Sequence, residues 1–409
     1  MNERIERYRQ VALDILQPSE AELEHGLQLH ENSVVCDSYG FAPRAAIDGD
    51  AMARAIEQGA SEAELKDMRE DMTMTRWATD EREKAEFMEA WDASGVTCIM
   101  QNAGEEGQSV KRMIKRLARF TWATDLMSDF ITRAVTPDDI IAAHENGKRS
   151  LYFSTNGVPL DEQWVSVEEE LRYVRIFFQL GARMMHLTYN RRNMIGDGCA
   201  EPANGGLSDF GREAVRKLNE VGIIVDCAHS SWQTSLDAAH TSELPMVASH
   251  SGAAAVNGHH RCKPDEVIEA IVDTGGYVGV CCIPAFLGGT GDINALLDHV
   301  DYIAQNFGPD HVTIGTDVAY TPTTYEEEVA KLPDRPSTRE EFRTLWEPDD
   351  PLHDPKWKKT QMKDSLAWTN WPLFTVGLVQ RGYNDEDIQK IIGGNCLRVA
   401  RAVLPDCMG

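Results

Sequence analysis

The sequence predicts an α/β fold, a parallel (β/α)8 barrel of the TIM type with helical insertions. Three observations carry this. The strands are short continuous apolar runs, the mark of a parallel sheet covered on both faces. From residue 148 onward they alternate regularly with helical segments. Three of them close on a residue able to hold a metal or move a proton. Val221 to Val225 runs into Asp226-Cys227-Ala228-His229, Val247-Ala248 into Ser249-His250-Ser251, and Val312-Thr313-Ile314-Gly315 into Thr316-Asp317. Ligands delivered at the C-terminal ends of successive strands are how such barrels build catalytic centres. An open, doubly wound sheet is the alternative, but no Gly-x-Gly-x-x-Gly follows a strand, so no nucleotide cofactor is expected.

In chain order, residues 1–30 read as a helical lead-in with Ile5, Val11, Ile15 and Leu23 on one side. Val34 to Phe41 is the first strand and Gly95 to Met100 the next. Between them lies a charged helical insertion, about 45–92, expected as a lid over the barrel mouth or a solvated surface segment. Ser150 to Ser154 is a strand, followed by a helix from Val167 to Gly181, whose glycine suits a C-cap. Met184 to Thr188 is a strand, and Ser208 caps the helix that runs through Leu218. Strands at 223–226, 245–248, 277–282 and 312–315 alternate with helices at 234–239, 264–274 and 293–307. A second insertion, about 322–365, is rich in Pro, Asp, Glu, Lys and Trp and is expected as a lid or an oligomer contact. Near the end, Asn384 opens a helix, Gly393-Gly394-Asn395 is expected to break it, and another follows. All of this reads as one domain over residues 1–409.

The 409 residues carry a net charge of -26, which disfavours nucleic acid and anionic membrane surfaces as partners. No stretch approaches the roughly 18 apolar residues of a membrane span, and the charged N-terminus lacks the apolar core of a signal peptide. The nine cysteines are odd in number and scattered, without Cys-x-x-Cys, which suits reduced thiols in a cytoplasm.

The stretch from Leu171 to Phe286 resembles the membrane (renal) dipeptidase family of zinc-dependent, amidohydrolase-type barrels. The likeness is carried by Leu187-Thr188-Tyr189-Asn190, Gly206-Leu207-Ser208-Asp209-Phe210-Gly211, Asp226-Cys227-Ala228-His229, Ser249-His250-Ser251 and His260-Arg261-Cys262-Lys263-Pro264-Asp265. Ile314-Gly315-Thr316-Asp317 and Gly393-Gly394-Asn395-Cys396-Leu397-Arg398 extend it toward the C-terminus. The resemblance implies a metal hydrolase for dipeptides, acting as a homodimer. Carried over residue by residue, it makes His229 and His250 ligands of one metal and Asp317 a ligand and proton carrier. It makes Arg261 the grip for a substrate carboxylate. It also places Asn156 where the family has a bridging glutamate, Tyr39-Gly40-Phe41 where it has a His-x-Asp metal pair, and Tyr189 where it has a histidine that contacts the reacting carbonyl.

Those departures matter chemically. Phe41 offers no ligand atom, neutral Tyr39 is a poor ligand, and Asn156 replaces an anion with a neutral carbonyl. The expectation is therefore a reduced, mononuclear centre in which His229, His250 and Asp317 hold one divalent metal, zinc, with an open position for water. Asp317, Tyr189 and Tyr39 are the candidate catalytic groups. Arg261, Asn156 and Tyr189 are the candidate substrate contacts. The expected reaction is hydrolysis of an amide or related bond in a small carboxylate-bearing substrate. A metal-independent lyase, isomerase or hydratase using Asp317, His229 and the two tyrosines stands as the second reading, and a non-catalytic ligand-binding protein as the third. Strand alternation places Asp37, Tyr39 and Phe41 on one face, with Cys36 and Cys227 turned away.

Overall fold

A computed structural model describes residues 1–104, 108–334 and 345–405. The strands are β1 (Cys36–Gly40), β2 (Cys98–Asn102), β3 (Ile131–Arg133), β4 (Arg149–Thr155), β5 (Ala182–His186), β6 (Ile224–Asp226), β7 (Val247–Ser251), β8 (Tyr277–Val280) and β9 (Val312–Ile314). Eight of them pair in parallel in the order β1-β2-β4-β5-β6-β7-β8-β9, and β3 adds to the flank of β4. The ring closes just past β9, where the Asp317 N–H donates to the Tyr39 carbonyl at 3.0 Å. Beneath that bond, Asp37 accepts from the Thr316 backbone at 2.8 Å, the Thr316 hydroxyl at 2.6 Å and Trp368 Nε1 at 3.1 Å.

The barrel interior is packed solid. Met100, Tyr152, Met184, Ile224, Val247 and Tyr277 fill it, and the helix Asn395–Val403 plugs its lower end with Cys396, Val399, Ala400 and Val403. A larger apolar layer lies between the strands and the surrounding helices. The eight described cysteines are all free and buried. Among the described residues, no helix is long and apolar enough to cross a membrane.

Three ladders shift register near the C-terminal ends of their strands: β1 between Asp37 and Gly40, β4 between Phe153 and Ser154, and β7 between Ala248 and Ser251. Such irregularities re-aim side chains, and they break the simple alternation expected of β1. Cys36 and Tyr39 share the interior cluster, while Asp37 bonds toward Thr316 and Trp368. Cys227 does face the outer layer, as expected. Across the barrel, the Ser38 hydroxyl donates to the Ser249 carbonyl at 2.6 Å. Gly279 of β8 permits this approach, since a Cβ there would sit 1.9 Å from the same carbonyl.

The insertion at 45–92 forms the helices Gly49–Glu57, Glu62–Thr79 and Glu81–Ser94. Capping boxes at Ser19 and Ser61 start two of the chain's helices. The second insertion holds short helices at Tyr325–Ala330, Pro351–His353, Pro355–Lys358 and Thr360–Ser365, and its residues 335–344 lie outside the described residues. The expected break at Gly393-Gly394-Asn395 is instead a π-helical turn, Lys390–Gly394, that runs on into the last helix. Gly393 packs so tightly on the chain leading into β1 that a Cβ would lie 2.1 Å from the Val34 carbonyl oxygen. Its lack of a side chain serves that contact and does not end the helix.

Candidate active site

The C-terminal ends of β1, β4, β5, β6 and β7 converge on a buried cluster of rings. His229, just past β6, places Nε2 2.9 Å from Nε2 of His250 on β7. The other nitrogen of each ring is anchored, His229 Nδ1 on Asn190 Oδ1 at 2.7 Å and His250 Nδ1 on Ser249 Oγ at 2.8 Å. Each imidazole stacks on a tyrosine: His250 on Tyr39 at 3.8 Å between centroids, His229 on Tyr189 at 4.2 Å. Burial, and after it the Arg261 charge, hold both histidines well below the usual imidazole range, so both are neutral. The Asn190 oxygen can only accept, so His229 carries its proton on Nδ1 and presents a lone pair at Nε2.

Asn190 fixes His229 in the tautomer that ligates a divalent ion, while His250, whose Nε2–H donates to His229 Nε2 here, would join it by carrying its proton on Nδ1 toward Ser249 Oγ. This half of the site fits one. The first-strand half does not. The Tyr39 hydroxyl donates to Asn156 Oδ1 at 2.5 Å, and the Phe41 ring lies edge-on to Tyr39 at 5.8 Å. Both Tyr39 and Asn156 are thus committed to each other, and the third side chain is hydrocarbon.

Asp317 adopts a left-handed backbone, φ 56°, beside β1 and is half-buried. The structure does not gather it with His229 and His250. Among the described residues, the groups of three or more His, Cys, Asp or Glu side chains whose ligand atoms lie within 4.8 Å of one another are His186/Asp226/His250 and His259/His260/Asp350. Sequence reasoning passed over His186 and Asp226 as site residues. The signal was there, since each lies two positions after an inward residue, Met184 and Ile224, and so faces the interior.

Arg261 is fully buried. Its Nη1 donates to the Ala228 carbonyl and its Nη2 to the His250 carbonyl at 3.0 Å, and Nη2 also lies 3.4 Å from His229 Nε2. Its Nε is the N–H left without a hydrogen-bond partner. Lys263, also fully buried, ties down the turn that carries His229 by donating to the Cys227 and Ser230 carbonyls at 2.8 and 2.7 Å.

Next to the ring cluster, on the far side of Phe41, is a cavity of about 410 Å³. Aromatic Phe41, Trp77 and Phe120 line it together with Arg44, Arg69 and Arg116. Its roof is the insertion helix Glu62–Thr79. On the opposite side of the mouth, Arg191 reaches Glu347 of the second insertion at 2.8 Å, and Asp350 meets His259 and His260 at 3.3 Å each.

The family profile described as membrane dipeptidase, peptidase family M19, matches residues 28–343. Dipeptidase tcpJ of Claviceps purpurea is 27% identical over 286 residues, which is 68% of this chain and 57% of that protein. An uncharacterised dipeptidase of Schizosaccharomyces pombe is 31% identical over 208 residues, 48% of this chain and 49% of that one. The matched stretches therefore span only about half of those two curated relatives. A solved amidohydrolase from Pseudomonas aeruginosa, 23% identical, superposes with a TM-score of 0.67 over 92% of this chain and 98% of its own, a likeness of fold. The profile covers most of the chain, and on that ground this protein belongs to the membrane dipeptidase family.

Proposed function

We propose that this protein is a hydrolase that cleaves an amide or related bond in a small carboxylate-bearing substrate, with one divalent ion, zinc, on the β5–β7 side of the barrel mouth. The observation that carries the reading is the pair of buried, neutral imidazoles of His229 and His250, facing Nε2 to Nε2 at 2.9 Å at the ends of adjacent strands. Relatives named as dipeptidases support the bond type. A bound divalent ion there would polarise a carbonyl or lower the pKa of water.

The chain's own residues supply the rest. Asp317, half-buried at the rim, serves as general base. The Tyr189 hydroxyl, on a ring held flat against His229, stabilises the developing oxyanion. Arg261 draws the substrate carboxylate with its charge and its remaining Nε–H. Tyr39 and Asn156 close the first-strand side and leave room for one ion, not two.

The test is turnover of a panel of dipeptides and N-acyl amino acids by the zinc-loaded protein, with Asp317→Asn alongside. Hydrolysis lost by at least a hundredfold in that variant supports the reading. Absence of turnover on the whole panel, with zinc bound, overturns it.

A further inference from the structure

Three polar atoms at the heart of the barrel are fully buried and make no hydrogen bond: His186 Nδ1, His186 Nε2 and Asp226 Oδ2. The last two lie only 2.7 Å apart. The contact is a close buried pair whose alignment falls short of a good hydrogen bond, and it leaves His186 Nδ1 with no partner at all. Orphaned buried polar atoms are costly, and each in a native fold calls for a reason. Asp226 is held rigidly, because its other oxygen accepts from the Ala228 N–H at 2.8 Å and the Ser249 N–H at 3.1 Å. His186 is wedged edge-on against three rings, with centroids 5.0 Å from Tyr39, 5.2 Å from His250 and 5.4 Å from His229.

Ligand atoms of His186, Asp226 and His250 all lie within 4.8 Å of one another. Two imidazoles and one carboxylate with an open position form a common catalytic metal set. This set also supplies an anionic ligand, which the pair His229/His250 lacks and which Phe41 and Asn156 cannot give. We infer that the divalent ion of the proposed hydrolase is held by His186, Asp226 and His250, further into the barrel than the His229/His250 pair, with His229 left to contact substrate. The inference deepens the hydrolase reading, but coordination decides it, not turnover.

The experiment is zinc content and zinc-edge X-ray absorption of the full-length, zinc-loaded protein, for wild type and His229→Ala, with zinc affinity measured for His186→Ala and Asp226→Asn. The expected result is two imidazoles and a carboxylate oxygen in the wild type, and the same set at about one zinc per chain in His229→Ala. Zinc affinity should fall at least tenfold in His186→Ala and Asp226→Asn. Loss of zinc or of one imidazole in His229→Ala, or wild-type affinity in a folded His186→Ala, would overturn the placement. Should the buried substitutions unfold the protein, the His229→Ala spectrum still decides. Zinc bound as inferred without hydrolysis refutes the hydrolase reading alone. Hydrolysis that survives full chelation refutes the metal-dependent part of the hydrolase reading and leaves the placement to the absorption spectra.

Discussion

Asp37 is the residue whose substitution tests the barrel's closure most sharply. Its carboxylate is fully buried and accepts from the Thr316 N–H, the Thr316 hydroxyl and Trp368 Nε1, so it pins the segment carrying Asp317 against β1. Burial raises its pKa from 3.8 to about 7, overriding the opposing effect of those hydrogen bonds. The folded state therefore holds the proton more tightly than the unfolded chain. Its contribution to stability is full below about pH 4, falls as pH rises toward about 7, and is level above that. At 1.36 kcal/mol per pKa unit, the loss across that window is about 4 kcal/mol, of which about 3 falls between pH 5 and pH 8. Asp37→Asn cannot ionise, so it escapes this loss. It keeps an acceptor for the Thr316 N–H but turns an amide toward another donor, at a pH-independent cost of about 1–3 kcal/mol. Urea unfolding followed by tryptophan fluorescence should show the variant close to or slightly below wild type near pH 5. It should gain about 3 kcal/mol on wild type by pH 8. A stability difference that stays flat with pH, or moves the other way, refutes the argument that burial dominates this carboxylate.

Arg261→Met removes the positive charge that, after burial, most depresses His229 and His250. Their pKa values rise, so the acid limb of the kcat/KM profile should move to higher pH. The Ala228 and His250 carbonyls lose the guanidinium donors, which should cost about 2–6 kcal/mol in chemical denaturation. Arg69→Glu lies on the exposed side of the insertion helix and lines the cavity beside Phe41. Stability should stay within about 0.5 kcal/mol, while KM for carboxylate-bearing substrates rises about fivefold, as expected for a partly solvated charge contact. Gly393→Ala forces a Cβ to 2.1 Å from the Val34 carbonyl oxygen, an atom that cannot swing aside. Thermal melts should show a loss of about 1–3 kcal/mol with the metal site intact.

The barrel was legible because its strands are buried on both faces and read as unbroken apolar runs. The His229 and His250 positions were legible for the same reason, since each follows such a run. What stayed hidden was geometry that no local pattern encodes. β3 is three residues long and exists because it can pair with the flank of β4. The register shift in β1 separates Asp37 from Tyr39, which alternation had placed on one face. The π turn at Lys390–Gly394 looked like a helix break because two glycines and an asparagine normally signal one. Here Asn395 is instead buried against the chain before β9, donating to the Pro309 and Val312 carbonyls at 2.8 and 2.9 Å. His186 lies inside a strand, where a lone histidine reads as a core residue; alternation from Met184 and Ile224 turns it and Asp226 inward, but does not say that the two meet.

Charge balance explains why the departures from the family pattern belong together. A second divalent ion would need anionic ligands from the first strand and from the end of β4. This chain places Tyr39, Phe41 and Asn156 there, and the first and last bond to each other. Arg261 then adds a permanent positive charge 3.4 Å from His229, in surroundings where desolvation strengthens every electrostatic effect. An ion held beside that charge, as inferred, would need a carboxylate near it. Asp226 meets that condition, because it is buried inside the barrel and fixed by two backbone N–H groups. Asp317 does not, because it sits beyond β9 with its backbone bonded to β1. Tyr39, stacked on His250 and bonded to Asn156, walls off the first-strand side of the cluster. In the inferred placement the ion lies toward β5, β6 and β7, where His186 Nδ1 has no hydrogen-bond partner and His186 Nε2 meets Asp226 at 2.7 Å.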